Sequence, residues 1–233
     1  MSMRPDERVI ARSQSRAHPQ RVTIDTMQQP QPSPKLIDLA GLQALFDALT
    51  RRGYEIVGPV HRDGAIVYDR IDAVAELPAG WTDQQAPGSY RLTRRADDAV
   101  FGYAVGPHSW KRYLFPPKQT LFSVQRLGDG GLNFKPEPIE APKRAFIGVR
   151  ACELAAIGVQ DRVFAGREHV DPAYAARREA VLLVAVNCAV AADTCFCSSM
   201  GTGPAVSGGH DLALTELIDA AGHRFLVEAG SEV

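Results

Sequence analysis

The feature that most constrains the fold of this chain is a pair of apolar strands separated by two helical segments, in residues 145–187. The first strand is "AFIGVR" (145–150), and the second, "VLLVAVN" (181–187), has no polar residue before its final Asn. Between them, "ACELAAIGVQDRVF" (151–164) has the apolar spacing of an amphipathic helix. "DPAYAARREA" (171–180) opens with a capping Asp and a Pro, which is typical of a helix start. A continuous apolar strand is typical of burial on both faces, so we predict a parallel βαβ unit in an α/β domain.

The rest of the chain predicts one α/β domain, residues 36–233, behind a disordered tail, residues 1–35, that is rich in Gln, Pro, Ser and Arg. Asp38 is a candidate N-cap for a helix that Gly53 ends. "YEIVGPV" and "AIVYDRI" flank "HRDG", which predicts a hairpin. "SYRLTRR" and "VFGYAVG" have the composition of short strands. The front half therefore resembles a mixed or antiparallel sheet.

Three further segments complete the prediction. "DLALTELIDAAG" has the composition of a helix, and "HRFLVEAG" that of a strand. "SWKRYLFPP" is a short helical turn that is either a docking surface or a packed turn of the core, because its aromatic and arginine residues are common at protein interfaces. On the helix of residues 151–164, we expect Glu153 and Asp161 to lie on the solvated side.

All four cysteines lie in one window of the chain, residues 152–197. Cys152 follows the first strand of the βαβ unit, in the first turn of its helix, and Cys188 follows the second strand. Parallel strands end at the same edge of a sheet, where open α/β sheets bind ligands. Because the loop that carries Cys195 and Cys197 leaves from the same edge, we expect the four sulfur atoms to converge. A helix N-terminus also favours the thiolate form of Cys152.

Thiolates without nearby histidine indicate zinc or an iron–sulfur cluster. The spacing C-x35-C-x6-C-x-C matches neither the paired C-x2-C of structural zinc sites nor the bacterial ferredoxin run. After the last cysteine come residues whose backbone and hydroxyl groups are suited to binding a cofactor, either the sulfides of a cluster or a flavin or nucleotide phosphate: Ser198, Ser199, Gly201, Thr202 and Gly203. The pair Cys195 and Cys197 is alternatively a reactive thiol pair, and Cys152 a core residue.

Charge and length exclude several classes of function. The chain has 26 basic and 27 acidic residues, a formal net charge of −1, which gives no electrostatic basis for binding nucleic acid or an anionic membrane. No apolar run reaches the roughly 18 residues that a transmembrane helix needs. The N-terminus lacks the apolar segment of a secretory signal, so we expect a cytoplasmic protein.

Four stretches resemble the iron–sulfur beta subunit of cytosolic sulfhydrogenases, which are NAD(P)-linked nickel–iron hydrogenases, and a related subunit of anaerobic sulfite reductases. The stretches are "SWKRYLFPPKQTLF", "FIGVRACELAAIGVQDRVF", "DPAYAARREAVLLVAVNC" and "DTCFCSSMGTGP". The resemblance covers residues 36–233. Such subunits carry 4Fe–4S clusters and continue into a ferredoxin-like domain with two C-x2-C-x2-C-x3-C-P runs, which residues 1–233 do not contain. The chain therefore resembles the N-terminal domain of the family.

The resemblance implies an electron-transfer subunit that does not turn over substrate by itself. Its partners would be hydrogenase or sulfite reductase subunits, including a flavin- and NAD(P)-binding subunit. Together with the predicted convergence, it leads us to expect one iron–sulfur cluster, of the 4Fe–4S type, with these ligands: Cys152, Cys188, Cys195 and Cys197. The alternatives are a non-redox interaction domain with structural zinc or no metal, and a flavin-binding oxidoreductase domain.

Overall fold

The computed structural model describes residues 33–166 and 168–230. Most of the predicted disordered tail, residues 1–32, lies outside the described residues, and Lys35 at its end begins the first strand. None of the helices in the described ranges combines the length and apolar character needed to cross a membrane.

The described residues form eleven strands and five α-helices. The strands are β1 (Lys35–Asp38), β2 (Glu55–Arg62), β3 (Ala65–Arg70), β4 (Trp81–Ala86), β5 (Ser89–Arg94), β6 (Phe122–Arg126), β7 (Leu132–Pro136), β8 (Arg144–Val149), β9 (Val181–Val186), β10 (Leu212–Asp219) and β11 (Gly222–Ala229). The helices are α1 (Leu39–Arg51), α2 (Lys111–Leu114), α3 (Ala151–Phe164), α4 (Pro172–Glu179) and α5 (Cys197–Met200). The Asp38 side chain caps α1 by accepting a hydrogen bond of 2.8 Å from the Gly41 amide, as its sequence position predicts.

Seven strands of the described residues form one mixed sheet in the order β1-β11-β10-β9-β8-β2-β3. Its centre is parallel, because β8 pairs in parallel with β9 and β2, and β9 with β10. The outer pairs β2–β3, β10–β11 and β1–β11 are antiparallel. β4 pairs with β5, and β6 with β7, in two small separate sheets. The predicted α/β class and the parallel βαβ unit, β8-α3-α4-β9, are confirmed.

The two central strands are apolar throughout because both faces of the sheet are covered. Ile147 and Val184 pack on one face with a cluster that includes Phe46 of α1. Phe146 and Leu183 lie on the other face, in a cluster with residues of α2, α3 and α4. Burial of both side-chain rows holds β8 and β9 in register and fixes where their carboxyl ends lie.

The predicted helix "DLALTELIDAAG" is wrong, because most of it forms β10. Leu, Ala and Glu favour helices, but β10 has a parallel neighbour in β9 and an antiparallel one in β11, and this pairing overrides the local preference. The predicted strand "VFGYAVG" is also wrong, since residues 100–106 are irregular. One side chain takes the place of a strand partner at the start of this segment. The Glu216 carboxylate accepts hydrogen bonds from the Val100 and Phe101 amides at 2.7 and 3.0 Å.

The "SWKRYLFPP" segment forms the helical turn α2, and its tryptophan belongs to the core. Trp110 is 1% exposed and stacks on Tyr68 and Phe146, with ring centroids 3.8 and 4.7 Å away. Of the two interpretations of this segment, the packed turn is correct for Trp110.

Candidate functional site

A cavity of about 430 Å³ lies at the carboxyl ends of β8 and β9, and we call it the cysteine cavity. Three parts of the chain contribute its cysteines: the start of α3, the residue pair after β9, and the loop that precedes β10. Its lining includes Cys152, Cys188, Cys195 and Cys197. The structure thus brings the four sulfur-bearing residues around one space, as the parallel topology predicts.

The four thiols are free and differ in exposure. Cys195 is exposed, and its sulfur accepts a hydrogen bond of 3.3 Å from the Ala192 amide. Cys188 is half-buried and donates to the Val190 carbonyl oxygen at 3.0 Å. Cys152 and Cys197 are also half-buried. In the described residues, no three Cys, His, Asp or Glu side chains are grouped closely enough to hold a metal ion as they stand.

The predicted cofactor-binding residues divide into two groups. Thr202 and Gly203 line the cysteine cavity, whereas Ser198, Ser199 and Gly201 lie outside its lining. The Thr202 amide donates to the Cys197 carbonyl oxygen at 2.9 Å, which closes the turn after α5. Gly203 packs so tightly that a Cβ there would lie 3.2 Å from the Cys197 sulfur. This turn therefore fixes where Cys197 lies.

Apolar side chains complete most of the cavity wall. They come from α3, from the loop around α5 and from the segment before α2: Val105, Ala151, Ala155, Ala156, Val159, Phe196, Met200 and Pro204. Two of these, Phe196 and Met200, are 69% and 64% exposed. A polar contact closes one side, where the Thr194 hydroxyl donates to the Gln85 side-chain oxygen at 2.9 Å. The thiols thus face a largely apolar space with an apolar rim.

At Cys152, the effect of burial on the thiol pKa outweighs the effect of the helix N-terminus. Desolvation raises the pKa of Cys152 to about 11, with further contributions from the Glu153 carboxylate and the Cys197 and Cys188 side chains. The expectation that the helix start favours the thiolate is therefore wrong for the metal-free chain. The Glu153 carboxylate already accepts a hydrogen bond of 2.9 Å from the Arg150 amide at this helix start, which adds negative charge beside the thiol.

The prediction that Glu153 lies on the solvated side of α3 is wrong. The residue is 8% exposed, and its second oxygen accepts a hydrogen bond of 2.6 Å from the Tyr68 hydroxyl. Burial raises the pKa of Glu153, although the hydrogen bonds from Arg150 and Tyr68 act in the opposite direction. Asp161 is half-buried as well and accepts from the Tyr174 hydroxyl at 2.6 Å. Both acids anchor α3 to the rest of the core.

Arg150 is the residue of this site that sequence reasoning missed. It is 1% exposed, lines the cysteine cavity, and donates to the carbonyl oxygens of Phe101 and Tyr103 at 2.6 and 3.1 Å. Burial disfavours its charge, but Tyr103, Cys188, Tyr68 and Glu153 together outweigh that effect and raise the pKa of Arg150. The signal in the sequence is an arginine that directly follows an apolar strand, two residues before a cysteine.

Comparison with known proteins gives a distant relative. The chain is 25% identical over 186 residues, 80% of its length, to sulfhydrogenase 2 subunit beta from Pyrococcus furiosus. The chain spans 45% of the length of that relative. No family model matches the chain, and no solved structure matches it. The resemblance to sulfhydrogenase beta subunits is therefore supported, as a distant relationship, over most of the chain.

Proposed function

We propose that this chain is an electron-transfer component of a hydrogenase-type or sulfite reductase-type complex, and that its cysteine cavity holds one 4Fe–4S cluster. The observation that carries the proposal is the meeting of four cysteines, from three separate parts of the chain, around one cavity. Iron–sulfur clusters are held by four cysteine thiolates, so the number and type of donors fit.

The size and lining of the cavity also fit a cluster. Its volume of about 430 Å³ is many times the roughly 30 Å³ of one water molecule, so it offers far more space than a single ion needs. The walls are largely apolar, and the polarity around a cluster is one of the means by which proteins set its potential. When bound, the cluster would supply one-electron transfer.

The cysteines and the loop that follows Cys197 have separate roles in this proposal. Cys152 and Cys188 hold the inner side of the group, since the ends of β8 and β9 fix their backbones. Cys195, which is exposed, lies on the side from which a redox partner approaches. Thr202 and Gly203 bring backbone groups to the cavity wall, and Ser198, Ser199 and Gly201 shape the turn that carries them. Because the pKa of Cys152 is about 11, loading the metal must release a proton from this thiol.

The partners we propose are the other subunits of such a complex, including one that binds flavin and NAD(P). Two observations support a partner. The relative is named as a subunit. Apolar side chains are also exposed on and beside the rim of the cysteine cavity, and large exposed apolar patches mark interaction sites: Val159 (49%), Val163 (50%), Phe196 (69%) and Met200 (64%).

A cysteine series tests the proposal. The full chain, reconstituted anaerobically with iron and sulfide, should show one broad visible absorption. Changing any one of the four cysteines to Ala should release most of the iron, because a cluster left with three thiolates becomes labile. Ser207→Ala, at an exposed residue of the loop before β10 and outside the cavity lining, is the matched control and should keep wild-type iron content.

Three results would contradict the proposal. Paired flavin bands would indicate a flavoprotein. Stoichiometric zinc without sulfide would indicate a structural metal. Full iron and sulfide in Cys152→Ala, with loss of both in Cys195→Ala, would show that the four cysteines do not act as one site.

A further inference from the structure

Arg150 places a positive charge in the wall of the cysteine cavity without a carboxylate partner. Its guanidinium donates to three backbone carbonyl oxygens, those of Phe101, Tyr103 and Asn187, at 2.6, 3.1 and 3.4 Å. Its Nε atom is buried and has no acceptor among the described residues. The ion pairs found in the described part of the chain do not include Arg150.

The nearest acid does not neutralise this charge by direct contact. The carboxylate of Glu153 accepts from the Arg150 backbone amide and from the Tyr68 hydroxyl, so both of its oxygens are engaged elsewhere. Burial of a charge without an opposite charge is costly, and buried charges in proteins are paired or bind metals and ligands. The carbonyl oxygens supply hydrogen bonds but no net negative charge. The buried Glu153 carboxylate offsets part of the Arg150 charge through space but does not contact the guanidinium. An anionic group in the cysteine cavity, which Arg150 lines, would complete the compensation.

We propose that Arg150 is the counter-charge for the anionic group held in the cysteine cavity and that it raises the reduction potential of that group. This inference rests on the proposed function. A 4Fe–4S cluster with four thiolate ligands carries net negative charge. Reduction adds one electron, supplied by a reduced flavin or a second cluster of the complex, and makes no bond. A nearby positive charge stabilises the more negative, reduced form, so Arg150 favours reduction.

The test is the midpoint potential of the reconstituted full chain, measured by redox titration with electron paramagnetic resonance detection. Arg150→Met removes the charge. We expect the equilibrium constant for reduction to fall about tenfold, which for one electron shifts the midpoint potential by about 59 mV to more negative values. Arg150→Lys keeps the charge and should stay close to wild type. Arg177→Met is the matched control and should leave the potential unchanged. Arg177 is 8% exposed, donates to a carbonyl oxygen and an amide oxygen, and lines a different cavity.

A second neutral variant covers failure to fold. Arg150→Gln keeps an amide donor for the carbonyl oxygens and replaces Arg150→Met if that chain does not fold. A full cluster with the wild-type potential in the neutral variant would overturn the role of Arg150 and leave the proposed function standing.

A different result would overturn the proposed function first, namely a wild-type chain that takes up no iron and sulfide. Cobalt(II) titration of the reduced, metal-free chain then decides the role of Arg150, because cobalt with four thiolates is also a net anion. Cobalt affinity about tenfold weaker in the neutral Arg150 variant than in Arg177→Met would support the role of Arg150 as a counter-charge. Equal affinities, or a wild-type chain that binds neither cluster nor cobalt, would overturn it.

Discussion

Gly203→Ala should strain the loop that carries Cys197, and the structure gives the size of the effect. Gly203 has φ of 155°, a conformation that costs other residues about 1–3 kcal/mol. A Cβ there would also lie 3.2 Å from the Cys197 sulfur and 3.4 Å from the Ala151 Cβ. These neighbours must move by a few tenths of an ångström, which adds to the strain. We expect the free energy of unfolding of the metal-free chain to fall by about 2 kcal/mol.

Urea unfolding at equilibrium measures this loss, and two neighbouring glycines separate its causes. Gly201 has φ of 64° with nothing within 4 Å, so Gly201→Ala carries backbone strain alone and should cost about 1 kcal/mol. Gly208 has neither a positive φ nor a neighbour within 4 Å, so Gly208→Ala should change stability by less than about 0.5 kcal/mol. If Gly203→Ala unfolds at the same urea concentration as Gly208→Ala, the packing of this loop against Cys197 is refuted.

Three further outcomes are expected. Calorimetry should show that Gly148→Ala lowers the free energy of unfolding by about 1–3 kcal/mol, since Gly148 has φ of 87° and a Cβ would lie 3.1 Å from the Phe101 ring. Gly158→Ala, inside α3 with nothing within 4 Å, should raise the free energy of unfolding by about 0.5–1 kcal/mol. A stabilised Gly148→Ala and a destabilised Gly158→Ala would contradict both expectations. In the metal-free chain, mass spectrometry should show iodoacetamide modifying exposed Cys195 before Cys152. Because the pKa of Cys152 is about 11, its thiolate fraction and alkylation rate should rise about tenfold per pH unit between about pH 8 and pH 10; a rate independent of pH would contradict this. The reconstituted chain alone should give no dye-linked hydrogen uptake or NAD(P)H oxidation, and turnover above about 1 per second would make it an enzyme in its own right.

The centre of the fold was predictable because its sequence signals and its tertiary contacts agree. The uninterrupted apolar run of β9 indicates a strand covered on both faces, and the two core clusters cover it. The capping Asp38 fixes the start of α1. Parallel topology then places the residues after β8 and β9 at one edge, which is why cysteines lining one cavity at that edge could be predicted from sequence. Their binding of a cluster stays a prediction.

The errors lie where long-range contacts decide the conformation. β10 has helix-forming residues but pairs with strands on both sides. The composition of residues 100–106 favours a strand, but the first amides of this segment bond to Glu216, more than a hundred positions away. Glu153 has the sequence pattern of a solvated residue. Its hydrogen-bond partner Tyr68 is too distant in sequence for a local pattern to reveal the contact. The role of Arg150 depends on carbonyl oxygens of that same irregular segment, so its position after β8 and before Cys152 does not reveal that role without the fold.

The central claim, one 4Fe–4S cluster in the cysteine cavity, is tested most directly by counting iron and acid-labile sulfide in the full chain purified without oxygen. The account predicts about four iron and four sulfide per chain. Cys197→Ala should lose both together, because its sulfur lies in the turn that closes the cavity. Stoichiometric zinc, iron without sulfide, or full iron and sulfide retained in Cys197→Ala would contradict the account.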